Sequence, residues 1–327
     1  MSAVLKEKID IKEDILFQLD KELLESLLKD RTSNNNIIWA IDDYKIYGNN
    51  YSASDYIKIE SITGNNGEVI KPRIQKTNDA KVVRIREKAE VFTPSWVCNA
   101  QNNLIDNAWF EDDNIFNKEI EKGWKTTKQK IQFLNKKTWQ DYVMSTRLEI
   151  TCGEAPYLTS RYDTVTGKYI EPKDRIGLLD RKLRIISENI ENKDEWINWA
   201  KKAVQNIYGY DWQGDNVLLA RENILYAVIE YYEYIYNNVL STNMLKDFAE
   251  IISWNIWQMD GLKYVIPNSC KDEDTSAQLK LFEIGNKKEE CRGCKNNNPF
   301  EHTGIYCYIM DWNSKRQIRF VDMIKGA

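Results

Sequence analysis

The sequence predicts an α/β protein built on a partial parallel sheet, with an N-terminal α+β extension and a C-terminal zinc-type loop and hairpin. Three observations carry this. Short β-prone runs at 146–150, 207–211 and 254–258 alternate with long helical patterns, the strand–helix–strand order of parallel sheets. Each run ends at or near an acidic residue, Glu149, Asp211 or Asp260. The flanks lack this pattern, which divides the chain into a helical and basic extension (1–88), a central unit (89–266) and a Cys/His cluster with a hairpin (267–327).

Ile11 to Leu28 places Ile15, Leu16, Leu19, Leu23, Leu24 and Leu27 at helical spacing and predicts one amphipathic helix, broken by Asn34-Asn35-Asn36. Ile37 to Ile41 reads as a strand, and residues 42–70 as short β-prone runs between Gly and Asn turns. Thr93-Pro94 opens a helix over Ser95 to Trp109, with Thr93 as its N-cap. Residues 110–137 are polar and Lys-rich and read as surface loop and helix, and Thr138 to Ser145 leads into the strand Thr146 to Ile150. Helices are expected over Ile186 to Ala203, Val217 to Tyr236 and Met244 to Ile252, with strands at Ile207 to Asp211 and Trp254 to Gln258. Arg175 to Arg184 reads as a helix packed on the sheet with a charged rim. The tail predicts a hairpin of Ile305 to Trp312 and Gln317 to Val321. The crowded Tyr226, Tyr231, Tyr232, Tyr234 and Tyr236 read as core and interface packing.

The 327 residues carry 46 Lys and Arg against 50 Asp and Glu, a net charge of −4. A chain that grips DNA alone is usually basic. Local clusters run from Lys71 to Lys88 and from Lys118 to Lys137, and read as solvated faces or as part of a DNA path completed by a partner. No run approaches the ~20 apolar residues of a membrane span, and the first residues lack a signal-peptide apolar region. A cytoplasmic protein is expected, with its six Cys as thiols or metal ligands.

Cys270, Cys291, Cys294, His302 and Cys307 lie in one short segment, and Cys291-Arg292-Gly293-Cys294 is a knuckle-like C-x-x-C. Structural zinc takes four such ligands. Cys270, Cys291, Cys294 and His302 are the expected set, with Cys307 as fallback. Cys98 and Cys152 read as small buried apolar residues.

Ligands of open α/β sheets bind outside the carboxyl ends of the strands. Acids there suit a nucleoside, whose hydroxyls and amine are donors. Glu149-Ile150-Thr151-Cys152-Gly153-Glu154-Ala155 resembles the loop, roughly D/E-P-A-C-G-x-G, that holds S-adenosylmethionine in N6-adenine DNA methyltransferases. Phe92-Thr93-Pro94 resembles that family's F/Y-T-P element, Tyr208-Gly209-Tyr210-Asp211-Trp212 its Y-G-x-D element, and Asn255-Ile256 with Asp260-Gly261-Leu262 its N-I-x-x-G-D-x-L element. Ala155, Thr151 and Ile150 replace the usual Gly, Ala and Pro, and the connection from Thr159 to Ile207 is longer than typical.

The resemblance implies a Rossmann-like methyltransferase sheet and S-adenosylmethionine held by Phe92, Thr93, Pro94, Glu149, Thr151, Cys152, Gly153, Asp211, Trp212 and Asp260. Asp211 would grip the ribose and Asp260 the adenine amine. The family's N/D/S-P-P-Y/F catalytic motif has no match; Asn298-Pro299-Phe300 lacks one Pro and follows a loop. No catalytic residue is assigned. The expectation is the cofactor-binding subunit of a split DNA adenine-N6 methyltransferase of a restriction–modification system. A second subunit would carry the catalytic motif and target-recognition domain, and double-stranded DNA would be the substrate. The alternative is a catalytically inactive, methyltransferase-like DNA-binding or assembly subunit of a restriction complex.

Overall fold

The computed structural model describes residues 12–78, 81, 84, 86, 93–134, 136–274 and 288–325. The expected first helix is two, α1 (Glu13–Leu19) and α2 (Lys21–Leu28). Asp20 divides them: it is extended, and its side chain accepts from Glu22 N–H to cap α2. The apolar stripe survives the break, with Leu16, Leu23, Leu24, Leu27 and Leu28 all buried.

Residues 37–41 are buried but form only an isolated bridge, Ile38 to Tyr56, rather than the expected strand, and Ala40 turns left-handed at φ 63°. A strand at the sheet edge would use backbone pairs. Here the Gln258 amide substitutes for them, with Ile38 N–H donating to Oε1 (2.9 Å) and Nε2 donating to Ile38 C=O (2.8 Å). Gly214 makes this crossing possible, since a Cβ there would lie 2.0 Å from the Ile38 carbonyl oxygen.

α3 (Ser95–Phe110) forms as expected, but Thr93 does not cap it. Pro94 is the N-cap residue, and Asp163 accepts from Ser95 N–H at 3.1 Å. The Lys-rich stretch contains a hairpin, β1 (Asn117–Ile120) and β2 (Gly123–Thr126), instead of loop and helix. It has almost no apolar face to reveal it. Trp124 Nε1–H and Thr126 Oγ1–H anchor it on the Asp174 carbonyl and carboxylate, each at 2.8 Å.

α4 (Trp139–Met144), capped by Thr138, leads into β3 (Arg147–Ile150). The expected single helix over 186–203 is again two, α5 (Leu178–Asn189) and α6 (Lys193–Gln205), because Asn192 caps α6 and ends the continuity. β4 (Ile207–Asp211), α7 (Gly214–Tyr236), α8 (Thr242–Asn255) and β5 (Ile256–Gln258) follow. β3, β4 and β5 form one parallel sheet in that order. Short pairs β6 (Glu273–Asp274) with β7 (Lys288–Glu289), the turn helix α9 (Arg292–Asn296) and the hairpin β8 (Tyr308–Asp311) with β9 (Arg316–Arg319) complete the chain.

Alternation along the strands sorts two cores. Ile207 and Ile256 face the helical core around α7, whose residues from Gly214 to Tyr232 are buried throughout. Tyr210 and Trp257 face a smaller core with Met259, Cys307, Ile309 and Phe320, under the C-terminal hairpin. That cover stops short of β3: Leu148 (46% exposed) and Ile150 (62%), paired in register with Tyr208 and Tyr210, lie bare on the outer strand. No helix among the described residues is long and apolar enough to cross a membrane.

Two cations expected on a rim are inside. Arg181 reaches Asp106 (2.5 Å), Asn99 (3.0 Å) and Asn103 (2.7 Å), a polar stripe of α3. Lys182 donates to the Ser145 and Asn206 carbonyls, and burial drives its pKa well down. At the start of α7, Asp215 receives Tyr44 (2.5 Å), Lys76 (3.0 Å) and Arg84 (2.7 Å) from the N-terminal extension. Burial opposes its ionisation, yet Arg84 and Lys76 hold its carboxyl well below the usual range. Removing one partner of a buried ion pair strands the other. Asp215→Ala is therefore expected to cost about 3–5 kcal/mol in denaturant unfolding. A loss no larger than about 1 kcal/mol, the value of an exposed pair, would show that this contact does not anchor the extension.

Candidate functional site

The sheet's carboxyl end opens into a pocket of about 690 Å³ between β3, α3 and the start of α7. That volume lies in the ~300–1,000 Å³ range of small-molecule sites. Beyond β3 the chain turns sharply, with Thr151, Gly153 and Ala155 at φ of 47°, 53° and 61°. Thr151 and Ala155 carry a Cβ in this left-handed region, a strain of roughly 1–2 kcal/mol each. Cys152 is buried against Gly209 of β4, where a Cβ would lie 3.3 Å from its Sγ.

Asp211 holds this loop. Its Oδ2 accepts from Gly153 N–H (2.9 Å), and its Oδ1 accepts from Gln213 N–H (2.9 Å) and Asn216 Nδ2–H (3.3 Å). Burial pushes its carboxyl up to about 6, against the pull of the Gln213 and Gly153 N–H groups. Glu149 accepts from Tyr157 N–H (3.4 Å) and Leu158 N–H (3.2 Å), and burial pushes it well above the ordinary range.

The loop does not present a phosphate cradle. Cys152 N–H is taken by the Tyr210 carbonyl, Gly153 N–H by Asp211 and Ala155 N–H by the Cys152 carbonyl. What the pocket offers is acceptors. Asn102 Oδ1, Gln213 Oε1 and Asn216 Oδ1 are buried there without a partner. Two of these orientations are fixed by the amide's other end: Asn102 Nδ2 donates to the Tyr157 and Ile176 carbonyls, and Asn216 Nδ2 to Asp211. Buried acceptors left unpaired cost free energy until a donor arrives. With Glu149 and Asp211, the lining suits a ligand rich in N–H and O–H groups or positive charge.

Of the residues expected to hold a cofactor, Thr93, Glu149, Thr151, Cys152, Gly153, Asp211 and Trp212 line this one pocket. Phe92 lies outside the described residues. Pro94 lines the neighbouring groove instead. Asp260 lines a separate cavity of about 330 Å³, and Trp212 is the residue that lines both. There it accepts from Leu262 N–H (3.0 Å) and Lys263 N–H (3.2 Å), capping a turn. Asn102, Gln213 and Asn216 were not expected. Only the buried polar stripe of α3 hints at the first, with Asn99, Asn102, Asn103 and Asp106 at helical spacing.

Cys270, Cys291, Cys294 and His302 converge, their ligand atoms all within 4.8 Å of one another. His302 Nδ1 stands 3.6, 3.6 and 3.7 Å from the sulfurs of Cys270, Cys291 and Cys294. A tetrahedral zinc ion with bonds of ~2.3 Å to sulfur and ~2.0–2.1 Å to nitrogen places those atoms ~3.5–3.6 Å apart. The set can therefore hold a metal such as zinc. Burial opposes Cys291 ionisation, but hydrogen bonds from Thr303 and His302 bring its thiol down to about 5. Burial and its sister thiols push Cys270 up to about 12. A cation would relieve that conflict. Cys307 is not a ligand: it is fully buried in the small core and donates to the Gln258 carbonyl. Gly293 admits the histidine, since a Cβ there would meet His302 N at 2.6 Å.

Comparisons with protein-family models, with curated proteins and with solved structures each found no match.

Purified protein is expected to carry about one equivalent of zinc by elemental analysis, the content of a closed four-ligand site. Gly293→Ala and Cys291→Ser should each lower that content and the melting temperature together. Metal-free protein as stable as the loaded form would remove the site from consideration.

Proposed function

We propose that this chain binds S-adenosylmethionine between the β3 loop and the end of β4. In this reading it is the cofactor-binding part of a DNA adenine-N6 methyltransferase belonging to a restriction–modification system. The observation that carries the reading is the acceptor-lined pocket at the carboxyl ends of two adjacent parallel strands. Glu149 and Asp211 supply carboxylates, Asn102 and Asn216 supply unpartnered amide oxygens, and the N–H groups of Cys152, Gly153 and Ala155 are already used. That chemistry matches a cofactor presenting ribose hydroxyls, an ammonium, an exocyclic amine and a sulfonium. It matches poorly a dinucleotide, whose pyrophosphate needs free N–H groups.

The bound cofactor would supply an electrophilic methyl group. The chain's own residues would bind and orient it. Asp211 Oδ2 has one donor from the fold and retains acceptor capacity for a ribose hydroxyl. Asn216, set by Asp211, would take a second hydroxyl, and Glu149 and Asn102 would face the amino-acid end. Trp212 would wall the adenine, and Asp260 could read its amine only if the base reached round that indole. Nothing here supplies the catalytic N-P-P-Y/F element. We place it on a second subunit, with the target-recognition domain, docked against the bare edge of β3.

Calorimetry of the chain with S-adenosylmethionine tests the reading. Asp211→Ala is expected to weaken binding by about 1–3 kcal/mol, the cost of leaving ligand donors unpaired. The pH dependence has a defined sign. Hydroxyl donors favour the Asp211 anion, so binding lowers its pKa and releases a proton at and below about 6. Affinity should fall as pH drops through 6, and Asp211→Asn should remove that step from the profile. Absence of binding heat, with and without the second subunit, would favour the inactive assembly subunit instead.

A further inference from the structure

Beside the cofactor pocket runs a larger groove of about 1270 Å³, walled by the β1–β2 hairpin on one side and residues 163–174 on the other. Lys122, Lys125, Lys128, Lys168 and Lys173 line it, and none has an ion-pair partner among the described residues. They come from separate segments of the chain and are all exposed. The groove's carboxylates are mostly committed elsewhere. Asp163 caps α3 and its own turn, Asp174 holds Thr126, and Glu188 pairs with Arg184 at 2.7 Å. Trp96 and Tyr234, 39% and 51% exposed, add aromatic surface between the cations. In a chain of net charge −4, this is charge gathered on one face against the overall balance.

The groove and the pocket meet at one wall. Pro94, Asp163 and Val165 line the groove, and their neighbours Thr93 and Thr164 line the pocket. The wall is stiff, because Thr164 Oγ1–H donates to the Thr93 carbonyl at 2.8 Å. A polyanion lying in the groove would run along the far side of the wall that Thr93 and Thr164 present to the pocket.

We propose that this groove is a track for the phosphate backbone of duplex DNA, with Lys125, Lys168 and Lys173 making phosphate contacts. The choice of DNA over another polyanion rests on the methyltransferase reading. The cationic groove does not. Lysine–phosphate contacts act by counterion release, which steepens the log–log salt slope by about 0.9 for each phosphate neutralised. They give register and affinity without base specificity, so sequence choice would lie with the second subunit.

The test is fluorescence anisotropy of the full chain with a labelled duplex oligonucleotide across a salt series, without cofactor. The groove variant is Lys125→Glu/Lys168→Glu/Lys173→Glu. The control, Lys58→Glu/Lys193→Glu/Lys315→Glu, makes the same change of net charge at exposed sites elsewhere. The expected result is at least a tenfold loss for the groove variant and a salt slope smaller by about two to three, with the control close to the parent. Equal weakening by both variants, or no DNA binding by the parent, would overturn the proposal. Single Lys168→Glu, expected to lower the slope by about one, keeps the test valid if the triple variant melts early. Calorimetry with S-adenosylmethionine on the same proteins separates the two ideas. Salt-dependent DNA binding lost only in the groove variant, with no cofactor heat in the parent, leaves the cationic track standing and retires the cofactor reading.

Discussion

One carboxylate holds the candidate site together. Asp211 joins the turn after β3 to the turn before α7 by accepting from Gly153, Gln213 and Asn216. Without it the left-handed run at Thr151, Gly153 and Ala155 would have no partner on β4 at Gly153. A loop strained at two non-glycine residues persists only where its surroundings over-determine it. Packing of Cys152 on Gly209 and the Asp211 bond are those surroundings. The same carboxylate sets the orientation of Asn216, so its position decides which atoms the pocket shows. Burial raises its pKa to about 6, which means the fold retains an acid where ionisation is penalised. Such retention at a cleft is a mark of sites built for a ligand.

Buried polar groups also order the layers around the sheet. Arg181 locks α5 to the Asn and Asp stripe of α3, and Tyr142 adds a bond to Asp106 at 2.9 Å. Arg161 and Arg175 meet Glu230 of α7, and Arg221 of α7 donates to the Ile256, Leu27 and Lys29 carbonyls. Each couples elements far apart in sequence that apolar packing alone would let slide. Buried charge of this kind is costly to desolvate and seldom a net source of stability. Its effect here is positional: α3 carries Asn102 and the Thr93-Pro94 turn, so Arg181 fixes one wall of the pocket from the opposite helix.

This also explains what the sequence disclosed and what it hid. The strands at 147–150 and 207–211, the helices over 95–110 and 214–236, and the parallel order were legible because apolar periodicity and helix stops are local signals. The four metal-binding candidates were legible because thiol and imidazole ligands have no common structural substitute at that spacing. The break at Asp20 was hidden because the apolar stripe runs through it. The β1–β2 hairpin was hidden because its anchors are Trp124 and Thr126 bonds to a turn some fifty residues onward, 50 and 48 positions away. Arg181 and Lys182 looked like a solvated rim because a sequence cannot show that carbonyls and amides wait inside. The split of Asp260 from Asp211 has the same origin, since Trp212 stands between two strand ends that look equivalent on paper.

The sheet's own geometry gives the bare edge a consequence. Parallel strands are normally covered on both faces. Here one face is sealed by α7 and α8, while the hairpin shields the other only over β4 and β5. On β3 the uncovered side chains are Leu148 and Ile150, and both also line the pocket. An added strand would lie about 4.8 Å from β3, and its first residues past the carboxyl end would stand beside Thr151 and Gly153. Because Leu148 and Ile150 are both exposed and both wall the pocket, polypeptide that buried them would also narrow the mouth of the site. An apolar surface that costs free energy while bare, and that sits on the pocket's rim, couples the cover of this face to access to the site.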